Sequence, residues 1–408
     1  MIACLQLPRF ALTVAASAEA PGEARAQLLA RPLALAPEAG REPVVGEVSA
    51  AAEAFGVRAG MRLGEALARC PALKLVPPDP AGVADAHERL LCALESIGAG
   101  VESGPPGSAF FDAHALRHLH GNVAAVVAVA RRAAAAPARA GAGPTRFAAF
   151  AAAGRARPRR AEVAPQRRDK LCAYLAPQPV GLLRAYAAVA GAEGLAALPE
   201  PLERLGVRTL GELAALPRGA VSDRFGAAGL RAHALARGSD TPLRPREPVE
   251  RLEESLELPE SASGPQLERA LGLLIDRLLA RRERRGRSLR AAVVSARLVE
   301  GGTWRERMTF REPIADAQRM RIALAPKLGS LPAPAEVLSL RAEGFGPPAG
   351  AQGALLSEPA HARASRLREA IRQTRTAAGP DAALRVLEVD PDSRVPERRL
   401  VLAPWETG

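Results

Sequence analysis

Between Leu252 and Ala342 the hydrophobic pattern changes period in a fixed succession, and this constrains the chain more than any other feature. Strand-like Leu252 to Leu258 leads into a helical pattern from Gln266 to Arg285. Two strand-like runs follow, Leu289 to Val299 and Thr303 to Phe310, then a helix from Ala315 to Leu328 and a strand from Ala335 to Ala342. An order βαββαβ buries its apolar faces as one compact α/β unit, a sheet covered by two helices. The proline-containing stretch Thr241 to Pro248 ahead of it reads as a linker, so the unit is one domain among several. A chain of 408 residues has room for about two to four.

The first residues, Ile2-Ala3-Cys4-Leu5-Gln6-Leu7, predict a buried strand starting almost at Met1. Val44 to Arg69 runs from a strand-like Pro-Val-Val into two short helices, and Asp79 can cap a helix reaching about Ile97. Val101 to Asp112 has the pattern of a hairpin turning at Gly104-Pro105-Pro106-Gly107, followed by a helix from His114 to Ala136. Gly154 to Lys170, with six arginines and interrupting prolines, reads as an exposed basic loop. Short helices alternate with glycines from Leu183 to Arg237. The tail from Gly344 is mixed, helical near Ala364 to Thr374 and strand-like at Ala383 to Leu387.

The charge balance is strongly basic, 56 Lys plus Arg against 44 Asp plus Glu. Two readings stand beside each other: a polyanionic partner, or the drift of an Ala- and Arg-rich chain. Four scattered cysteines cannot build a disulfide framework and suggest a reducing cytoplasm. No apolar run approaches the roughly 18 residues of a membrane span, so no membrane partner is expected. His114 and His118 are one helical turn apart but lack a third ligand pattern, so no metal or other cofactor is expected.

Two features suit nucleic acid. In Leu202 to Leu213 two short amphipathic helices flank the turn Leu205-Gly206-Val207, followed by Arg208. This is either a helix-hairpin-helix, whose backbone N–H groups face a phosphate, or an ordinary helical hairpin. Arg281, Arg282, Arg284, Arg285, Arg287 and Arg290 surround a single acid, Glu283; they are either phosphate contacts or a solvated helix C-terminus favoured by its dipole.

The segment Glu53-Ala54-Phe55-Gly56-Val57-Arg58-Ala59-Gly60-Met61, with Glu65-Ala66 and Cys70-Pro71-Ala72-Leu73, resembles the fingers signature of Y-family DNA polymerases. Phe110-Phe111-Asp112 resembles a palm motif of that family, Gly143 to Ala149 a later palm segment, and Leu205-Gly206-Val207 with Arg224-Phe225-Gly226 its thumb. The resemblance implies an α+β multidomain right hand. Its parts are a palm over 1–180 with fingers inserted at about 18–77, a helix-hairpin-helix thumb over 181–243, a βαββαβ little finger over 251–343 and a C-terminal tail over 344–408. Polymerases of this kind hold two magnesium ions with three carboxylates. The resemblance puts Leu5, Gly107 and Ser108 at those places, and Ala50, Glu53 and Phe150 where a tyrosine, an arginine and a lysine hold the triphosphate. Glu102 and Asp112 are the nearby acids, but strand geometry keeps them from sliding into the vacant positions.

A polymerase-like body without these ligands, with Leu7-Pro8-Arg9 early and Asp392-Ser393-Arg394-Val395-Pro396-Glu397-Arg398 late, resembles the catalytically inactive mutasome branch of the family. The resemblance implies a bacterial cytoplasmic, nucleoid-associated adaptor in SOS mutagenesis and translesion synthesis. Its implied partners are DNA, the sliding clamp, a RecA-like accessory protein and an error-prone C-family DNA polymerase. Gln352-Gly353-Ala354-Leu355-Leu356 stands where such proteins carry a clamp-binding peptide, Gln352 fixing register while Leu355 and Leu356 fill a groove; an incidental loop is the other reading. Two alternatives to the adaptor remain: a residual polymerase with unusual ligands, and an interaction protein that does not touch DNA.

Overall fold

The computed structural model describes residues 1–19, 23–38, 40, 42–157, 160–248, 252–262, 264–299, 301–348, 367–368, 370–375, 379–389 and 391–405. β1 (Ile2–Gln6) lies between β5 (Ser108–Asp112) and β6 (Arg139–Gly143), antiparallel to both. β4 (Val101–Ser103) and β7 (Glu162–Val163) complete a five-stranded sheet in the order β4-β5-β1-β6-β7. Successive side chains of β1 point to opposite faces. Ala3 and Leu5 pack with Leu91, Leu94 and Val126 of the helices Pro80–Ser96 and Val123–Ala133. Cys4 faces the other way, with Phe110 and Phe147, into the core that the helix Arg146–Arg155 shares with the helices after it.

That second contact explains a stretch that looks compositionally monotonous. A side chain at Gly141 would place its Cβ 2.1 Å from the backbone nitrogen of Ala153. The helix lies directly on β6, and only glycine on the strand and alanine on the helix permit this approach.

A parallel pair, β2 (Leu33–Leu35) and β3 (Lys74–Val76), carries the short helices Ala50–Ala54 and Leu63–Arg69. The Pro43-Val44-Val45 stretch makes one isolated bridge, from Val44 to Arg62, rather than forming a strand. The expected helix from His114 to Ala136 is two, Arg117–His120 and Val123–Ala133, because the Asn122 side chain accepts from Ala125 N and starts a new helix. The expected basic loop is not one loop either: Arg155 ends a helix, with its guanidinium over the Tyr174 ring, and Arg168 begins another.

β8 (Leu252–Ala262), β9 (Arg287–Leu298), β10 (Thr303–Ile314) and β11 (Ala335–Pro348) form a sheet in the order β10-β9-β11-β8. The helices Pro265–Ala280 and Ala317–Leu324 pack on one face through Leu271, Leu274, Ile275, Met320 and Leu324. The βαββαβ order is therefore present, with strands longer than the sequence pattern suggests. At its other face Arg341, nearly buried, donates to Asp85 at 2.9 Å and to Glu343 at 2.9 Å, and Thr303 donates to Asp79 at 2.9 Å.

The linker is strapped down. Arg246 pairs with Glu88 at 2.8 Å and with Glu95 at 2.6 Å, and its backbone N–H donates to the Val101 carbonyl at 2.8 Å, covering the edge strand β4. A second compact unit comprises residues 286–288 and 347–408. Its described part holds the antiparallel pair β12 (Leu384–Glu388) and β13 (Leu400–Pro404), with Pro396–Arg399 as a single helical turn. Among the described residues no helix is long and apolar enough to cross a membrane.

Candidate functional site

The register of β1 decides which residues meet at the tip of the β4–β5 hairpin. Leu5 pairs with Ala109 and Gln6 with Ser108, while the Leu7 N–H donates to the Gly107 carbonyl at 2.8 Å. Leu5 is thus not beside Gly107 and Ser108: it is fully buried two residues deeper, against the helix-covered face. Leu7 and Gln6 are the residues across from that pair, and neither carries a carboxylate.

The space beside Gly107 is already filled. A Cβ there would lie 2.6 Å from the Phe10 Cβ and 2.7 Å from its Cγ, and the backbone φ is +81°. His87, from the helix beneath, closes the turn: its Nδ1 accepts from the Gly107 N–H at 3.3 Å and its Nε2 lies 3.1 Å from the Gly104 carbonyl and 3.1 Å from the Ser103 hydroxyl. Burial holds its pKa below the ordinary imidazole value, which suits a neutral ring that accepts at Nδ1 and donates from Nε2. The Phe10 ring lies edge-on to it at 6.4 Å. These residues do not fit a pair of magnesium ions.

The nearby acids are committed elsewhere. Glu102 is ion-paired with Arg146 and accepts from the Arg244 backbone N–H. Asp112 accepts from His114 N at 2.8 Å and lies 3.8 Å from the N-terminal amine. Glu53 is ion-paired: Arg9 donates to it at 2.6 Å and to the Val48 carbonyl at 2.8 Å. Ala50 is exposed at the start of its helix. Phe150 is buried against Tyr186, with ring centroids 5.4 Å apart. Of the three positions that the resemblance matched to triphosphate ligands, Glu53 is ion-paired, Phe150 is packed in the core and Ala50 is exposed.

Leu205-Gly206-Val207 does form the turn between two short helices, Pro199–Arg204 and Leu210–Ala215. The expected row of free N–H groups is absent from it. Glu212 accepts from Arg208 N at 2.7 Å and from Thr209 N at 3.0 Å, and Thr209 accepts in turn from Glu212 N at 3.2 Å. Leu210 N and Gly211 N donate to the Gln178 and Ala176 carbonyls. These hydrogen bonds hold the Glu212 carboxyl below its ordinary pKa. A phosphate would meet the Arg208 side chain here, not a nest of backbone donors.

The arginine run is also sorted by the fold. Arg281 caps the helix and pairs with Glu254, and Arg284 donates to the Leu279 carbonyl at 2.9 Å. Arg287 opens β9 half-buried, whereas Arg282, Arg285 and Arg290 are exposed. Gln352, Leu355 and Leu356 lie outside the described residues. Among the described residues no three His, Cys, Asp or Glu side chains come together as a metal site. Sequence reasoning passed over Phe10 and His87 and gave Arg9 no ion-pair role. Of these only Arg9 carried a signal, a cation two residues beyond the apolar strand in a segment without acids.

The impB/mucB/samB family matches residues 11–154. Protein ImuB of Caulobacter vibrioides strain NA1000 / CB15N is 30% identical over 355 residues, 85% of this chain and 74% of that protein. DNA polymerase IV of Ralstonia nicotianae is 27% identical over 267 residues, covering 63% of this chain and 71% of that one. A solved Dbh ternary complex superposes with a TM-score of 0.48 at 15% identity, covering 85% of this chain and 99% of that one. With its sheets, its βαββαβ unit and its identity to ImuB in place, the chain belongs to the ImuB family of Y-family DNA-polymerase-like proteins.

Proposed function

We propose that this protein is a non-catalytic, polymerase-like adaptor. It holds DNA and brings the sliding clamp, a RecA-like accessory protein and an error-prone C-family polymerase to it during translesion synthesis and SOS mutagenesis. The observation that carries the non-catalytic part is Phe10 packed where a side chain at 107 would go, with His87 bonded to the Gly107 N–H. A two-metal site needs carboxylates at such a place, and this one holds a phenyl ring and an imidazole instead. In this reading residues 1–180 are palm with fingers inserted at about 18–77, 181–243 thumb, 251–343 little finger and 344–408 a tail carrying the clamp peptide Gln352-Gly353-Ala354-Leu355-Leu356. Arg208, Arg282, Arg285 and Arg290 supply phosphate contacts, supported by their exposure.

The test is a primer-extension assay beside a DNA-binding assay on the same purified protein. We expect salt-sensitive binding and no extension with magnesium or manganese; template-dependent extension by this chain would establish the residual-polymerase reading instead. Arg282→Ala/Arg285→Ala/Arg290→Ala should lower the slope of log K against log salt by about 2 to 3. DNA mobility unchanged at low salt would favour an interaction protein that does not bind DNA. For the clamp, Gln352→Ala and Leu355→Ala should reduce retention on immobilised clamp, and equal retention would remove that assignment.

A further inference from the structure

A pocket of about 740 Å³ opens between the start of the Arg146–Arg155 helix, the last turns of the Arg218–Ala236 helix and the extended chain after it. One wall is apolar and includes Leu235 and Pro242; the other carries Arg146, Arg231 and Arg244 with Glu102 and Asp240. The two carboxylates are turned to protein donors. Asp240 accepts from Tyr186 Oη at 2.7 Å, Phe147 N at 2.9 Å and Thr241 N at 2.7 Å. Glu102 takes the Arg146 guanidinium and the Arg244 backbone N–H.

The cations are not matched in the same way. Arg146 is 7% exposed, yet its Nε is buried without a hydrogen-bond partner. Leaving such a donor unpaired costs about 1 to 3 kcal/mol. The guanidinium groups of Arg231 and Arg244 take part in no hydrogen bond or ion pair among the described residues. The Arg231 and Arg244 guanidinium groups therefore line a cavity whose own acceptors are already engaged, and the acceptor they lack has to come from outside. Its size says more. Small-molecule sites span about 300 to 1,000 Å³, so a lone phosphate would leave most of this one empty, whereas a phosphate carrying an apolar, planar body would use both walls.

We propose that this pocket binds a nucleoside phosphate, its phosphate held by Arg231 and Arg244 and its nucleoside against the wall formed by Leu235 and Pro242. The site is separate from the hairpin tip where Gly107 and Phe10 lie, and the inference does not depend on the adaptor reading. Free nucleotide and the phosphorylated end of a DNA strand share this chemistry.

Calorimetric titration of the full chain with dAMP, deoxyadenosine and inorganic phosphate tests it. We expect dAMP to bind at least about tenfold more tightly than either fragment, and Arg231→Ala/Arg244→Ala to lose about tenfold in dAMP affinity. Both arginines are at the surface of the pocket, and an unchanged circular dichroism spectrum would show that the variant is folded. Equal dAMP affinity in wild type and folded variant, or phosphate binding as tightly as dAMP, would overturn the proposal. Competition by a 5′-phosphorylated oligonucleotide but not by its 5′-hydroxyl form assigns the pocket to a DNA end; dAMP binding that neither displaces assigns it to free nucleotide.

Discussion

At position 107 the backbone has a φ of +81° and the neighbouring space holds Phe10. Gly107→Asp, the change a polymerase site would need, meets both the backbone strain and the overlap, and should cost about 2 to 4 kcal/mol in a denaturant titration. A variant as stable as the wild type would show that Phe10 can leave. Beside it, His87 is kept neutral. An imidazole whose folded pKa is depressed contributes stability that is fully present above its unfolded value of about 6.5 and is lost as pH falls from there to the folded value. The unfolded chain takes up the proton first in that window. Urea midpoints should therefore drop between pH 7.5 and 5.5, and His87→Gln should flatten the change; an unaltered slope would place the titration elsewhere.

Among the elements, the hairpin around Gly206 is stabilised from within by its capping box. Thr209→Ala should cost about 1 kcal/mol, read as a lower thermal midpoint. Glu212→Ala would uncover the N–H groups of Arg208 and Thr209, so DNA binding at low salt should tighten. Unchanged affinity would show that this turn does not meet a phosphate. The helix Arg146–Arg155 on β6 is the less forgiving contact, because the atom facing Gly141 is backbone and cannot rotate away. Gly141→Val should destabilise by about 3 kcal/mol or more, and a smaller loss would mean that the helix can slide outward.

For the larger unit as a whole, charge joins pieces that the hydrophobic pattern separates. The Pro80–Ser96 helix receives Arg246 from the linker at Glu88 and Glu95, and Arg341 and Arg305 from the four-stranded sheet at Asp85. Arg341 and Asp85 are both nearly buried, so removing one partner leaves a charge poorly compensated. Asp85→Ala should lower stability by up to about 3 kcal/mol and quicken proteolysis in residues 239–248. Digestion at the wild-type rate would mean that the sheet is held by other contacts.

Periodicity exposed the elements of this fold because burying an apolar face is a local, repeating requirement. β1, the Asp79-capped helix, the hairpin at Gly104 to Gly107 and the βαββαβ succession were all legible in that way. The absence of acids before Glu19 and at Gly107 and Ser108 was legible too, since it depends only on residue types. Tertiary structure alone decided the partners. Leu7, not Leu5, lies across from Gly107 because register is set by pairing between strands distant in sequence. Glu53 is neutralised by Arg9, and the hairpin's N–H groups are consumed by Glu212, Gln178 and Ala176. The sequence thus determined which residue types stand along β1 and at the hairpin tip; the fold decided which of the described arginines are ion-paired, because an ion pair depends on distances that no linear spacing encodes.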